Sequence, residues 1–362
     1  MKILLVAGAR PNFVKVAPLV YRLRSDSKGI KWQIVHTGQH YDYEMSKVFF
    51  RELDIPEPDY FLGVGSGSHA EQTAKVMIEF EKVCIKKKPD VVVVVGDVNS
   101  TLACSVTAKK LNIKVAHVEA GLRSVDMSMP EEIIRIVTDS ISDYLFVTEK
   151  SGVENLRKEG KDKQQIFFVG NIMIDTLYHS LKKLKSLNFQ NVKKSDYAVI
   201  TLHRPSNVDN KKTLKGILMA FNNISKDMEI YFPIHPRTEN NLNNFDLSYL
   251  IKDSNIKVMP PMSYLEFLAL WKDASLVFTD SGGLQEETTT LGVPCFTIRD
   301  NTERPITIEE GTNILVGTAK ERIMEAYKKF KAGDRKNGRV PDLWDGKAAE
   351  RIVEILSSQL LN

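Results

Sequence analysis

The sequence holds little cysteine, little net charge and no long apolar run. Its three cysteines, Cys84, Cys104 and Cys295, match neither a disulfide framework nor a zinc-ligand spacing. Each lies in an apolar stretch and reads as a core thiol of a reducing cytosol. A formal net charge of +4 is too small to argue for nucleic acid. The basic run Lys86-Lys87-Lys88 ends a helical pattern, where the macrodipole favours cations. The apolar N-terminus is interrupted by Arg10 and Lys15, too early for a signal peptide. The longest later apolar run, 91–95, falls far short of the ~20 residues a bilayer span needs. The expectation is a soluble, cytoplasmic protein that engages neither membrane nor nucleic acid. HExxH, CxxC and GxGxxG are absent too, so no metal or redox cofactor is implied.

What the sequence does have is alternation. Its 362 residues suggest two domains, and 43% hydrophobic with 27% charged residues describes an ordinary globular chain. Apolar strand-like runs fall at 3–7, 33–37, 91–95, 115–119, 144–148 and 166–169. Helical patterns at 13–24, 70–87, 101–111, 131–141 and 153–158 separate them. Continuous apolar strands between helices predict a parallel sheet covered on both faces. The pattern weakens over 181–196 and restarts with runs at 197–203, 230–234, 256–259, 276–279, 294–298 and 314–316. The predicted fold is α/β: two Rossmann-like doubly wound domains, 1–180 and 190–345, facing a central cleft. Residues 346–362 form a last helix that could pack back on the first domain.

Most polar residues of interest fall where strands end, the edge at which doubly wound sheets bind ligands. Gly8-Ala9-Arg10-Pro11 with Lys15 is either a plain turn or an anion approach. Asp97 follows the 91–95 strand, and the helix-capping role suits Asn99 or Ser100 better. Glu119 ends another buried strand and must be paired, with Arg123 as the plain partner, or line a cavity. Glu131 opens a helix after Pro130, with Arg135 four residues on, which by spacing alone reads as an ordinary pair. His203-Arg204 and His235-Pro236-Arg237 end two further strands and suggest an anion-facing wall. Ser281-Gly282-Gly283 lies between strand and helix, aiming backbone N–H groups at a phosphate. Glu287 on that helix suits ribose hydroxyls, and Arg299 and Arg304 add cations.

Together these blocks resemble the non-hydrolysing UDP-N-acetylglucosamine 2-epimerases over nearly the whole chain. The motifs are GARP at Gly8, HTGQH at His36, GDVNST at Gly96, HVEAGLR at His117, MPEE at Met129, HRP at His203, DSGGLQEE at Asp280, RDNTERP at Arg299 and GTN at Gly311. The resemblance implies an architecture shared with nucleotide-sugar glycosyltransferases, a homodimer and a UDP-sugar substrate. It implies catalytic roles for Asp97, Glu119, Glu131 and His203. It implies substrate contacts from Arg10, Lys15, Arg135, Phe267, Ser281, Gly282, Gly283, Glu287 and Arg304. Ile134, Ser140 and Met262 depart from the family's usual residues, and the loop 63–69 with Asp42 does not match the regulatory sugar site of some relatives.

The chemistry implied is elimination of UDP to a 2-acetamidoglucal, then re-addition after protonation from the opposite face. One acid or base supplies about 10²–10⁴-fold, so stabilisation of the departing diphosphate must supply the rest. Rival expectations are an epimerase of a modified UDP-hexosamine such as a diacetamido uronate, a hydrolysing epimerase, a glycosyltransferase and a non-catalytic sensor.

Overall fold

A run such as Val91–Val95 has no polar face, so the strand it forms must be covered on both sides. The computed structural model describes residues 1–25, 29–38, 50–186, 196–252 and 254–361, apart from the side chains of residues 10 and 361. Gln39, His40, Asp42 and most of the 181–196 stretch lie outside the described residues, as does the side chain of Arg10. The first sheet contains β1 (Lys2–Ala7), β2 (Lys31–His36), β3 (Tyr60–Phe61), β4 (Val91–Val95), β5 (Lys114–Ala120), β6 (Tyr144–Val147) and β7 (Ile166–Phe168). Its order is β3-β2-β1-β4-β5-β6-β7, parallel throughout. The helices are α1 (Arg10–Ser25), α2 (His69–Lys87), α3 (Asn99–Lys110), α4 (Pro130–Ile141), α5 (Lys150–Lys158) and α6 (Ile172–Ser186).

The second sheet contains β8 (Tyr197–Thr201), β9 (Glu229–Pro233), β10 (Ile256–Met259), β11 (Leu276–Thr279), β12 (Cys295–Thr297) and β13 (Asn313–Leu315). It is also parallel, in the order β10-β9-β8-β11-β12-β13. Its helices are α7 (Pro205–Val208), α8 (Lys211–Ile224), α9 (Pro236–Asn244), α10 (Tyr249–Lys252), α11 (Tyr264–Trp271), α12 (Gly282–Leu291), α13 (Pro305–Glu309) and α14 (Lys320–Lys331), and α15 (Ala348–Leu361) ends the chain. Strand order reverses between β1 and β4 in the first sheet and between β8 and β11 in the second. These switch points are where doubly wound folds leave room for a ligand. The two-residue β3 is too short to carry a period and has no counterpart in the apolar pattern.

The chain divides into one unit of Met1–Ser180 with Asp342–Asn362 and another of Leu181–Pro341. In the first unit, successive strand residues alternate between two cores. Ile3, Leu5, Val91, Val93 and Val95 pack with α1 and with Ile352, Val353 and Leu356 of α15. Leu4, Val6, Val92 and Val94 pack with Val76 and Phe80 of α2 and Ala103 of α3. Asp175 receives the Ala348 and Ala349 N–H groups at the start of α15, at 3.1 and 2.7 Å. The Trp344 indole donates to the Thr148 carbonyl at 3.1 Å. These bonds make the returning tail part of the first unit from Asp342 onward, slightly earlier than the 346 expected. The second unit has its own core around Ile200, Phe221, Phe232 and Phe278. Among the described residues, no helix is long and apolar enough to cross a membrane. No group of side chains there has the makings of a metal site. All three cysteines are free and buried.

Candidate functional site

At the first unit's switch point, Asn12 does the joining. Its side-chain oxygen accepts from the Gly8 and Ala9 N–H groups at 3.2 and 2.9 Å, and its amide donates to the Val95 carbonyl at 2.9 Å. The turn after β1 is thereby tied to the end of β4. One helical turn on, Lys15 donates to Glu119, and both side chains are buried. Gly96, at φ +65°, lies against this pair: a Cβ there would fall 2.8 Å from the Lys15 ammonium. Glu119 sits in a β-bulge, since the pairing of β5 with β6 shifts register between Val118 and Ala120. Its φ is +75°. A bulge re-aims the side chain it carries.

Asp97 is held by the Arg135 guanidinium at 2.5 Å. Arg135 also bonds Glu132 at 2.6 and 3.0 Å, and Glu132 accepts from the Ser124 and Val125 N–H groups at 2.9 and 3.0 Å. Burial works to raise the Glu132 pKa, but these donors outweigh it and hold the carboxyl below its usual range. Glu131 projects from the first turn of α4 and is exposed. With Asp97, Gln72, Asn99 and Ile134 it lines a cavity of about 340 Å³.

Three pairings differ from the spacing-based readings. Arg135 reaches Glu132 and Asp97 rather than Glu131, because positions 132 and 135 face inward and 131 faces out. Glu119 pairs with Lys15, while Arg123 bonds Asp139 at 2.8 Å and Glu159 at 2.7 Å. Neither Asn99 nor Ser100 caps α3: Val98 holds that position, Asn99 bonds Gln72 at 2.9 Å and Ser100 bonds Thr37 at 2.7 Å.

In the second unit the organising residue is Asp280, which ends β11 and is fully buried. It accepts from the N–H groups of His203 and Arg204, each at 2.9 Å, and from the Asn207 amide at 3.1 Å. It holds the His203 ring through Nδ1 at 2.8 Å. Burial pushes the Asp280 pKa up, but His203 and the two N–H donors outweigh it, so the carboxyl lies below its ordinary value. The His203 side chain remains 41% exposed, with Nδ1 the ring nitrogen that meets Asp280. His235 lies 5.8 Å from it, ring to ring, but accepts the Arg237 N–H at 3.1 Å, and Arg237 pairs with Asp209 at 2.5 Å. Of the expected anion-facing wall, Arg237 is thus committed to an acid.

Ser281 stands at the start of α12 and makes no side-chain capping bond. A Cβ on Gly282 would lie 2.8 Å from a Glu303 oxygen, which explains glycine there. Glu303 is held by Arg299 at 2.8 Å and Arg204 at 3.3 Å. Burial opposes its ionisation, yet the charges of Arg304, Arg299 and Arg204 depress its pKa strongly. Arg304 pairs with Glu286 at 2.8 Å. Glu287 takes the Tyr264 hydroxyl at 2.5 Å, and burial, aided by neighbouring Glu286, pushes its pKa up to about 7. Phe267 lies half-buried on α11, the helix that also carries Tyr264.

Two doubly wound sheets with charged residues gathered at their switch points define an α/β protein of nucleotide-binding type. The chain belongs to the UDP-N-acetylglucosamine 2-epimerase family, whose model matches residues 22–357. It is 47% identical over 366 residues to the UDP-N-acetylglucosamine 2-epimerase of Methanocaldococcus jannaschii, covering 99% of each chain. It is 40% identical over 330 residues to the UDP-2,3-diacetamido-2,3-dideoxy-D-glucuronate 2-epimerase of Pseudomonas aeruginosa, covering 90% of this chain and 91% of the other. The crystal structure of the M. jannaschii enzyme in complex with UDP-GlcNAc and UDP superposes with a TM-score of 0.89 at 47% identity, over 99% of this chain and all of that one.

Sequence reasoning passed over Glu132, Asp280 and the buried pair His117 and Asp139. Asp280 carried the same signal as Asp97 and Glu119, an acid just past a buried strand. Asp139 had no local signal, because its partners His117, Gly121 and Arg123 lie outside its helix, whereas Glu132 has a local partner in Arg135 and others at Ser124 and Val125.

Proposed function

We propose that this protein interconverts UDP-N-acetylglucosamine and UDP-N-acetylmannosamine by epimerisation at C2 of the sugar. The observation that carries the proposal is the set of acids at the first sheet's carboxyl edge. Asp97, Glu119 and Glu131 sit there with Lys15 and Arg135, in a chain of the 2-epimerase family. The C2 hydrogen of a hexosamine is not acidic, so it leaves in concert with the bond from C1 to the diphosphate oxygen. A carboxylate takes the C2 proton, the C1–C2 double bond forms, and the C1–O electrons leave with UDP. Re-addition of the UDP oxygen to C1, with a proton delivered to C2 on the other face, gives the epimer. Asp97, Glu119 and Glu131 supply the proton-transfer groups. Arg10, Lys15, the Ser281-Gly282-Gly283 helix start and Arg304 stabilise the departing diphosphate. Arg135 orients Asp97, His203 protonates or deprotonates through Nε2, Glu287 accepts ribose hydroxyls and Phe267 lies by the uracil. The resemblance supports a homodimer in the cytoplasm, which light scattering and fractionation test.

Turnover in D2O tests the reading. Recovered UDP-N-acetylglucosamine and UDP-N-acetylmannosamine should both carry deuterium at C2, with the sugar still attached to UDP and no NAD added. Free N-acetylmannosamine as the main product would make the protein a hydrolysing enzyme. Epimer with all its C2 hydrogen retained would refute elimination. The 40% identity to the P. aeruginosa protein favours a second reading, a UDP-diacetamido uronate substrate. Exchange with that sugar alone would select it.

A further inference from the structure

His117 on β5 and Asp139 on α4 are completely buried, and the scheme above gives neither a task. His117 Nδ1 lies 2.6 Å from an Asp139 carboxyl oxygen, and Nε2 lies 3.0 Å from the Gly96 carbonyl oxygen. A neutral imidazole donates from one nitrogen and accepts at the other. The Gly96 carbonyl can only accept. The other Asp139 oxygen takes the Gly121 N–H at 3.0 Å and the Arg123 guanidinium at 2.8 Å, so this carboxyl is an ionised acceptor. Both ring nitrogens therefore face acceptors, and both must donate. Turning the ring over would set carbon atoms against the same two acceptors. The charges close as well: His117 and Arg123 stand against Asp139 and Glu159, which bonds Arg123 at 2.7 Å.

The ring's position gives this charge a use. Gly96 immediately precedes Asp97, and its own N–H donates to the Val118 carbonyl at 3.1 Å. His117 is two residues before Glu119 on the same strand, so it fastens the Asp97 turn to the strand that carries Glu119. The Lys15–Glu119 pair lies beside Gly96. We propose that His117 is a buried, doubly protonated imidazolium that acts as a positioning residue for Asp97 and Glu119, clamping Gly96 through its Nε2–H while Asp139 balances its charge. The catalytic half of this proposal rests on the epimerase reading. The protonation half does not.

Histidine-selective 15N NMR of the full chain at neutral pH tests it, with the ring assigned through the β5 backbone so that no variant is needed. The expected signature is two protonated nitrogens on His117. One unprotonated, pyridine-type nitrogen would overturn the proposal. In Asp139→Asn, which preserves shape, the ring should carry a single proton, and a ring still doubly protonated there would also overturn it. Asp139→Asn and His117→Gln should lower kcat by about 10²-fold, the order lost when a reacting group is displaced, with little change in KM. Unchanged kcat in a folded variant removes the positioning role. A wild-type chain without epimerase activity would sink the functional reading alone, because the NMR signature is read without turnover.

Discussion

Replacing Glu287 with glutamine should make the second unit more stable at alkaline pH and leave it unchanged in acid. Glu287 is 4% exposed, and its pKa is raised from 4.5 to about 7, chiefly by burial. The sign follows from proton counting. Between these two values the folded chain keeps a proton that the unfolded chain releases, so stability is full below about 4.5 and falls as pH rises toward 7. The displacement corresponds to roughly 3 kcal/mol of stability forgone once the group ionises. Glutamine keeps the neutral shape and still accepts the Tyr264 hydroxyl, but cannot ionise. Urea unfolding followed by the fluorescence of Trp271, buried at the end of the helix that Tyr264 begins, reads the effect. At pH 8 the variant should exceed wild type by up to about 3 kcal/mol. At pH 4 the two should agree within the error of linear extrapolation. Parallel pH profiles would mean that Glu287 is not neutral in the folded protein, and the burial argument would fail with them.

Glu119→Gln and Glu131→Gln should each lower turnover by at least ~10²-fold while the fold survives, since neither changes volume much. A coupled assay of epimer formation with thermal melts checks both, and near-normal activity in either removes that residue from proton transfer. Arg304→Ala should weaken UDP binding roughly 10- to 100-fold by calorimetry, the scale of a hydrogen bond to a charged group. Unchanged affinity would move the diphosphate site elsewhere. Glu287→Gln should weaken UDP binding by less, because a ribose hydroxyl is a neutral partner.

Strand and helix positions were readable because apolar period is a local signal. β4 and β11 fall where five and four consecutive apolar or threonine residues stand, and α15 where an amphipathic run does. The acids of the candidate site were readable for a related reason: Asp97 and Glu119 interrupt apolar runs at a point where burial of charge needs an excuse. What the excuse was could not be read. Lys15 and Glu119 are separated by 104 positions and Asp97 and Arg135 by 38. Local spacing favoured Arg123 and Glu131 instead. The fold decides these partners by bringing β1, β4 and β5 side by side, and residue spacing on one element carries no record of that. The same limit hid His117, whose two partners lie 22 positions ahead and 21 behind.

Backbone strain sharpens the case for Glu119 in a way that burial alone does not. Among the described residues, seven that are not glycine adopt positive φ: Asp54, Lys88, Asn112, Glu119, Val125, Asp246 and Leu343. Five of them are exposed and Leu343 is half-buried. Lys88 ends α2 in the left-handed conformation that helices commonly use to stop, and Asn112 is a residue type that tolerates it. Glu119 is the buried one. It takes a conformation costing on the order of 1–3 kcal/mol that glycine would adopt freely, and it also carries a charge out of water. The Lys15 pair offsets the second cost but not the first. A residue kept where both backbone and solvation oppose it is explained by what its carboxylate does, not by what it packs against. The carboxylate of Glu119, carried on the bulge, lies beside Gly96. Strain, buried charge and a glycine cleared for an ammonium therefore meet at one point, and that coincidence supports the proton-transfer role proposed for Glu119.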